Sequence, residues 1–505
     1  MYEESQQIAM QFDKATYEQN ADDLKALIEK IEQDVENYDI CNRVQLYYSL
    51  ATAVSDLWSI ENPDKQKDND TIQKTLYYYR KAIESFEDEA FQEYRNDGAT
   101  ISLMASTFIN YGNALESCGR IIATIEQYYF AINIYPRHPM AQGNLGVALL
   151  HYSQYLSSTK TYARDCMNYY AVTLLDSAIK SKDKNIYKEA REFFKGALNN
   201  LNPDYRKFLQ KGITFDKTEK MSKNERLYRE WCINAGLFIT PFSDLPCNSL
   251  SFAFDEMTLP EIITGIDQNM PIEIGMYNQL KQEFVSARYL YYETLTHGSK
   301  PHFSDKRTCL TDTLEYAQFS LRIEKLKTSF KTLFGILDKI AYFLNTYFDL
   351  GIKQKDVDFK SIWQSKKNGR NGYDYKNTLD TSNNFALLSL KWIQREFEHS
   401  EDKYACPKFR RIKDIRNYLE HKYTIVTMFE NSIENNHSKE EKVALYISEI
   451  ELSNHTLMLL KLVREAIICV ALCVNVEERN RIAKRGKNFA ALQMIVNQFD
   501  DEYKI

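Results

Sequence analysis

Apolar residues recur at helical spacing, every three or four positions, through most of this chain. In its second half five such runs cover residues 277–293, 314–350, 384–396, 409–429 and 442–477. Each run is long enough to form a helix, and helices of this size pack naturally into a bundle. The pattern therefore predicts a helical bundle, which we place at residues 273–505.

The first part of the chain repeats with a measurable period. The segments NYGNAL (110–115) and NLGVAL (144–149) align at a spacing of about 34 residues, the period of tetratricopeptide repeats. Large, small and helix-stopping residues occupy the expected positions of the first unit: Phe108, Tyr111, Gly112, Leu115, Tyr128, Ala131 and Pro136. Glycine and alanine let two helices approach closely, and proline ends the second helix.

Neighbouring segments follow the same pattern less closely. Residues 47–54 and 75–82 resemble one helix pair, and residues 171–178 and 190–197 resemble further second helices. We therefore predict a tetratricopeptide-like array of four to five helix pairs over residues 1–203. Such an array is either a scaffold or a concave surface for a protein or peptide partner, and we favour the second interpretation because solenoids expose such surfaces.

A segment of different composition, residues 204–272, separates the array from the bundle. Charged residues dominate its first third. Four of the ten prolines then interrupt helix formation: Pro241, Pro246, Pro260 and Pro271. The same stretch is too apolar for a free linker, because it contains Phe242, Leu245, Phe252 and Phe254. We expect an irregular connector packed on its neighbours, within an all-α fold.

Composition agrees with a helical protein and narrows its class. Glycine (16) and proline (10) together make about 5% of the chain, against roughly 12% in average proteins. This shortage of turn-forming residues argues against collagenous, low-complexity and many-stranded β classes. The net charge of −6 indicates that the chain as a whole is not a nucleic-acid coat protein, so any basic surface must be local.

Several functional classes have no support in the sequence. Phosphate-binding glycine loops, dinucleotide fingerprints, the zinc-protease motif and histidine pairs at metal-ligand spacing are absent, so we expect no cofactor and no metal site. The nine cysteines are scattered and no secretory core opens the chain. The longest apolar stretch, 466–474, is far too short to cross a bilayer. These features predict a cytoplasmic protein without a membrane partner.

One of the eight histidines has chemically suggestive neighbours. Arg416, Asn417 and His421 form an R-N-x3-H pattern, with Asn417 and His421 one helical turn apart and Arg416 on the adjoining flank. Basic residues outnumber acidic ones from 408 to 422, which suits a polyanion. The buried stripe of this helix would consist of Ile412, Ile415 and Leu419. The alternative interpretation is a surface ion pair between Arg416 and Glu420, beside a histidine without a chemical role.

A helical bundle that carries this motif, preceded by a repeat array, resembles the HEPN superfamily of RNA-cleaving and RNA-binding domains. It is most similar to the branch in which HEPN follows a tetratricopeptide-like array. Further stretches that resemble this branch are LYREWC (227–232), NQLKQEFVSAR (278–288), HFSDK (302–306) and DKIAYF (338–343). The resemblance covers about residues 225–475.

The resemblance implies a metal-independent endoribonuclease that acts as a homodimer through the HEPN bundle, with two R-x4-H motifs meeting in one cleft. Arg416 would hold the scissile phosphate, His421 would act as general base or acid, and Asn417 would orient the histidine or the phosphate. The products would carry 2′,3′-cyclic phosphate and 5′-hydroxyl ends, and DNA would be spared because it lacks the attacking hydroxyl. A toxin or antiviral defence role, regulated through the array, is the expected function.

Nearby basic residues are candidate RNA contacts. They are Arg411, Lys413 and Lys422 beside the motif, and Lys366, Lys367 and Arg370 in a glycine-punctuated loop. Each basic run is also consistent with a solvated face. Two other functions therefore stay open, a non-catalytic RNA- or protein-binding scaffold and a purely structural adaptor.

Overall fold

Sixteen α-helices and four short β-strands make up the part of the chain that the computed structural model describes. This part comprises residues 2–157, 160–209, 211–212, 220–247, 249–264, 270–296, 300–312, 314–366, 373–375, 379–398, 403–429, 443–485 and 499–504. The predicted all-α fold class is confirmed.

Nine helices form the N-terminal region. They are α1 (Glu3–Tyr17), α2 (Ala21–Asp34), α3 (Ile40–Glu61), α4 (Asn69–Phe86), α5 (Gly98–Ser117), α6 (Ile121–Ile134), α7 (Pro139–Tyr155), α8 (Thr161–Lys180) and α9 (Lys188–Asn199). Helices α3 and α4, α5 and α6, and α7 and α8 pack as successive pairs, with α4 against α5 and α6 against α7. Stacked pairs of this kind bury apolar faces that no single pair could bury alone.

The repeat glycines lie where helices of a pair meet. A Cβ atom on Gly112 would stand 2.6 Å from the ring of Tyr128, and one on Gly146 would stand 2.7 Å from Leu175. Neither position has room for a side chain, so these glycines set the distance between the paired helices.

Seven helices follow the array. They are α10 (Pro203–Leu209), α11 (Lys223–Asn234), α12 (Ile272–Thr296), α13 (Leu321–Tyr347), α14 (Phe385–Glu396), α15 (Pro407–His421) and α16 (Glu449–Arg485). Helix α16 contacts α12, α13, α14 and α15, and it also contacts α7 of the array. Every residue of α16 from 462 to 476 is buried. This explains its long apolar run, since a helix surrounded by protein has no polar face.

None of the helices in the described part of the chain is both long and apolar enough to span a membrane.

Three of the predicted helices begin later or end earlier than their apolar patterns indicate. The strands are β1 (Gln364–Lys366), β2 (Tyr373–Tyr375), β3 (Tyr423–Thr427) and β4 (Ala444–Ser448), with β1 antiparallel to β2 and β3 parallel to β4. The prediction of helix through 409–429 was therefore wrong beyond His421. The prediction of helix through 442–477 was likewise wrong before Glu449, because β4 occupies residues 444–448. Helix α13 begins at Leu321 rather than at residue 314, and Ala317 forms an antiparallel bridge with Thr427. The β-branched and aromatic run at 423–427 favours an extended chain, and pairing with β4 satisfies its backbone.

The connector is packed, as its composition predicts. Phe242, Leu245 and Phe252 are buried, and the rings of Phe242 and Phe252 stack with centroids 4.3 Å apart. Phe254 is the exception, because it is 41% exposed.

Arg464 of α16 binds this connector through hydrogen bonds and an ion pair. Its guanidinium donates hydrogen bonds to the carbonyl oxygens of Phe238 and Thr240 at 2.6 and 3.0 Å. It also pairs with the carboxylate of Asp244 at 2.8 and 2.9 Å. Backbone that cannot join a helix thus finds its hydrogen-bond partners on a neighbouring helix.

The array and the bundle share one hydrophobic core. A continuous cluster of buried side chains runs from Ile121 to Leu198 in the array and from Tyr277 to Val474 in the bundle. At the junction, the ring of Tyr155 stacks on Phe385 with centroids 3.5 Å apart. The two regions therefore contact each other through packed apolar surface as well as through the connector.

Substitution of Gly119 tests this contact. Gly119 lies between α5 and α6 with φ +72°, and a Cβ there would stand 2.3 Å from the carbonyl oxygen of Phe385. We expect Gly119→Ala to destabilise the protein by about 1–3 kcal/mol, because it adds both backbone strain and a clash. The control is Gly196→Ala in α9, where nothing lies within 4 Å and about 0.5–1 kcal/mol should be gained. Thermal unfolding of both variants measures these changes in stability. A Gly119→Ala protein as stable as wild type would contradict the predicted clash with Phe385.

Candidate active site on helix α15

Helix α15 carries the motif, and its sequence explains where it starts and ends. Pro407 occupies the first turn, where its missing N–H costs nothing. Phe409, Ile412 and Ile415 are buried, so the predicted stripe is present, with Leu419 packed at its edge. The helix contacts α13, α16 and both strands β3 and β4.

Arg416 is held by three groups. Its guanidinium lies over the ring of Phe334 on α13 at 5.3 Å, and one nitrogen lies 3.8 Å from the carboxylate of Asp338. Another nitrogen donates to Oδ1 of Asn417 at 3.3 Å. The side chain is still 31% exposed, so the guanidinium is oriented and also accessible.

Asp338 is a site residue whose role the motif did not predict. Its carboxylate accepts the backbone N–H of Phe359 at 3.1 Å. Burial raises the pKa of Asp338, and the hydrogen bond from Phe359 and the charge of Arg416 oppose this shift. It belongs to the DKIAYF stretch that carries the family resemblance, but nothing in that stretch indicates contact with Arg416.

His421 is the last residue of α15 and is exposed. It lies one turn beyond Asn417, and its imidazole forms no hydrogen bond or ion pair with any described residue. Glu420 lies 3.7 Å from Lys331, so the alternative pairing of Arg416 with Glu420 is not the arrangement in the structure. The imidazole is open to solvent at the end of the helix.

The candidate RNA-binding residues have different surroundings. Lys422 is exposed beside His421, with its ammonium 4.5 Å from the ring of Tyr418. Lys413 is half-buried, and burial lowers its pKa, as does the nearby charge of Lys360. The backbone of Lys366 lies in β1, whereas Lys367 and Arg370 lie outside the described residues.

Arg411 binds within the protein. Its Nε donates to the carboxylate of Glu451 on α16 at 2.7 Å, and Nε2 of His455 lies 3.8 Å from the same carboxylate. His455, together with Arg411, outweighs the effect of burial and lowers the pKa of Glu451 to about 2. This ion pair connects α15 to the start of α16.

Among the described residues, no group of three or more histidine, cysteine, aspartate or glutamate side chains is arranged to hold a metal ion. The chemistry available at the motif consists of a guanidinium that can bind a phosphate and an imidazole, the side chain that most often serves as general acid or base.

The Glu451 pair predicts a pH dependence of stability. Because the folded-state pKa of about 2 lies below the usual value of about 4.3, the carboxylate stabilises the fold above about pH 5 and loses this effect as the pH falls toward 2. We therefore expect Glu451→Gln to lower the thermal unfolding midpoint at pH 7, and the difference from wild type to shrink at pH 3. Differences of equal size at both pH values would contradict this assignment.

Comparison with known proteins locates one family match. The model of the LA2681-like HEPN family matches residues 264–477, which is less than half of the chain but includes Arg416, Asn417 and His421. The array lies outside the matched residues. No curated protein and no solved structure matches the chain. The match supports a HEPN domain at residues 264–477.

Proposed function

We propose that this protein is a metal-independent endoribonuclease whose HEPN domain cleaves RNA with Arg416 and His421. The observation that carries the proposal is the presence of an oriented, accessible arginine and an exposed histidine on one helix of that domain. Both side chains project from the last turns of α15, beside the exposed Lys422.

The proposed reaction is an attack of the ribose 2′-hydroxyl on the neighbouring phosphorus. The P–O bond to the 5′ oxygen breaks, giving a 2′,3′-cyclic phosphate and a 5′-hydroxyl end. Arg416 stabilises negative charge on the phosphate, and His421 takes the proton from the 2′-hydroxyl or gives one to the leaving oxygen. Asn417 accepts a hydrogen bond from Arg416, so its role is to orient the guanidinium.

A homodimer through the HEPN bundle completes this site. Cleavage needs both a base and an acid, and one copy of the motif contains a single histidine. Exposed apolar side chains shortly after His421 in the chain support a second copy at this surface: Tyr423, Met428 and Phe429. Tyr316, also exposed, adjoins them, because its carbonyl oxygen accepts the backbone N–H of Met428. The rings of Tyr316 and Phe429 contact each other at 5.4 Å and form part of this surface.

The wider biological role follows from the array. A nuclease of this kind in the cytoplasm must be restrained, and a helical array that contacts the bundle is suited to receive a protein or peptide partner. We therefore propose a toxin or defence effector whose activity is regulated through residues 1–203.

A non-catalytic scaffold that binds RNA or protein is the second candidate. It is favoured by the internal pairing of Arg411 with Glu451 and of Arg416 with Asp338, since both arginines then have structural roles. The nuclease would produce new 5′-hydroxyl RNA ends, whereas the scaffold would produce none.

The first test compares wild type with His421→Ala after expression in cells. We expect new 5′-hydroxyl RNA ends with wild type and a loss of about 100-fold or more in the variant, as is typical for a general acid or base. The control is His151→Ala in the array, where the histidine pairs with Glu116, and it should cleave like wild type. The purified enzyme should also cleave in excess chelator. Equal RNA ends in wild type and His421→Ala would favour the scaffold.

The second test mixes two inactive proteins, Arg416→Ala and His421→Ala. If residues of both copies meet in one cleft, a mixed dimer retains one arginine and one histidine and should recover part of the activity. Light scattering gives the mass of each sample. A monomer, or a dimer that recovers nothing on mixing, would contradict the composite site.

A further inference from the structure

A buried ionic cluster joins the array to the end of α14. Arg80 of α4 and Arg120, which precedes α6, both bind the carboxylate of Glu396, with Arg120 at 2.7 Å. Arg120 also forms two hydrogen bonds with Glu465 of α16, at 3.1 and 2.7 Å. We call these four residues the junction cluster.

The junction cluster is deeply buried and its charges are balanced. The side chains of Arg120, Glu396 and Glu465 are 7%, 6% and 4% exposed. Two guanidinium groups face two carboxylates, so each charge is compensated within the cluster. Burial opposes the charged form of Arg120, yet the two glutamates keep its pKa above the usual range. Since a charge left alone in such a place is very costly, α14 is firmly tied to the array.

Phe397, the residue after Glu396, connects the junction cluster to the elements that hold Arg416. The ring of Phe397 packs against the rings of Phe334 on α13 and Phe409 on α15, with centroids 5.5 and 5.4 Å apart. Phe334 is the ring on which the Arg416 guanidinium lies, at 5.3 Å. Phe409 is two turns before Arg416 on the same helix. Phe397 therefore packs against both elements that hold the arginine.

We infer that Glu396 is a positioning residue for Arg416, held by the array and acting through Phe397. The inference rests on the proposed function, and it names how the array controls that site. Docking of Arg80 and Arg120 fixes the end of α14, and Phe397 then holds Phe334 and α15 in the geometry that presents the guanidinium. A partner that draws α4 or α6 away from Glu396 would lower activity without touching the motif.

Glu465 provides a matched control inside the same cluster. It pairs with the same arginine and is as buried as Glu396. It belongs to α16, and Phe397 is not its neighbour in the chain. Loss of either carboxylate leaves a buried guanidinium undercompensated, but only loss of Glu396 removes a contact at the end of α14, next to Phe397. Arg395 keeps a second contact with α4, because it donates to Gln73 at 2.7 Å.

The experiment uses the full chain with Glu396→Gln, Glu465→Gln, Glu396→Asp and Phe397→Leu. Cleavage of a labelled single-stranded RNA oligonucleotide of mixed sequence gives kcat and KM. We expect Glu396→Gln and Phe397→Leu to lose about 10- to 100-fold in kcat with little change in KM, as for a misplaced catalytic group. Glu465→Gln should lower the unfolding midpoint as much as Glu396→Gln does but keep the kcat of wild type. Glu396→Asp should keep part of the kcat that Glu396→Gln loses.

Hydrogen–deuterium exchange over residues 407–421 gives a second readout that needs no cleavage. Exchange should be faster in Glu396→Gln and Phe397→Leu than in Glu465→Gln. Equal kcat losses, or equal exchange, in Glu396→Gln and Glu465→Gln would overturn the inference. If Glu396→Gln fails to fold, Phe397→Leu decides by the same criteria. If wild type cleaves no RNA, the proposed function fails, and exchange alone still decides whether the array orders α15.

Discussion

The burial of α16 on all sides is the constraint on which the rest of the structure depends. Between residues 462 and 476 this helix has no solvent-facing side, so its surface must be covered by several elements at once. Helices α12 to α15 contact α16, as do α7 of the array and the connector. An apolar helix of this kind needs protein on every side, which explains why the array and the bundle share one core.

Two charged residues of α16 determine how the connector and the array are placed against this helix. Arg464 binds the connector and the adjacent Glu465 binds Arg120 of the array. Apolar packing alone tolerates sliding and rotation, because dispersion and hydrophobic contacts have little direction. Buried ion pairs have a required geometry and a high cost when broken, so they select one docking arrangement among many of similar apolar area.

Local patterns in the sequence predicted most of the helices, because the helical period relates near neighbours in the chain. The small residue Gly112 lies where two paired helices meet. The parallel pairing of Tyr423 with Ala444 depends on contacts between separate segments, and the same apolar spacing fits a helix. For the candidate site, the motif and its buried stripe were evident in one helix. The partners of Arg416, which are Phe334 and Asp338, come from α13 and could not be inferred from spacing.

The parallel pairing of β3 with β4 also has a consequence for the order in which the protein is made. Strand β3 begins two residues after His421, but its partner β4 and the adjoining α16 are synthesised later than the motif. While β4 and α16 are still being synthesised, α15 lacks two of the elements that it contacts in the folded protein. Since domains fold as units, Arg416 and His421 leave the ribosome before the fold that orders them is complete. For the proposed ribonuclease, this order would leave the site unassembled while the message is being translated.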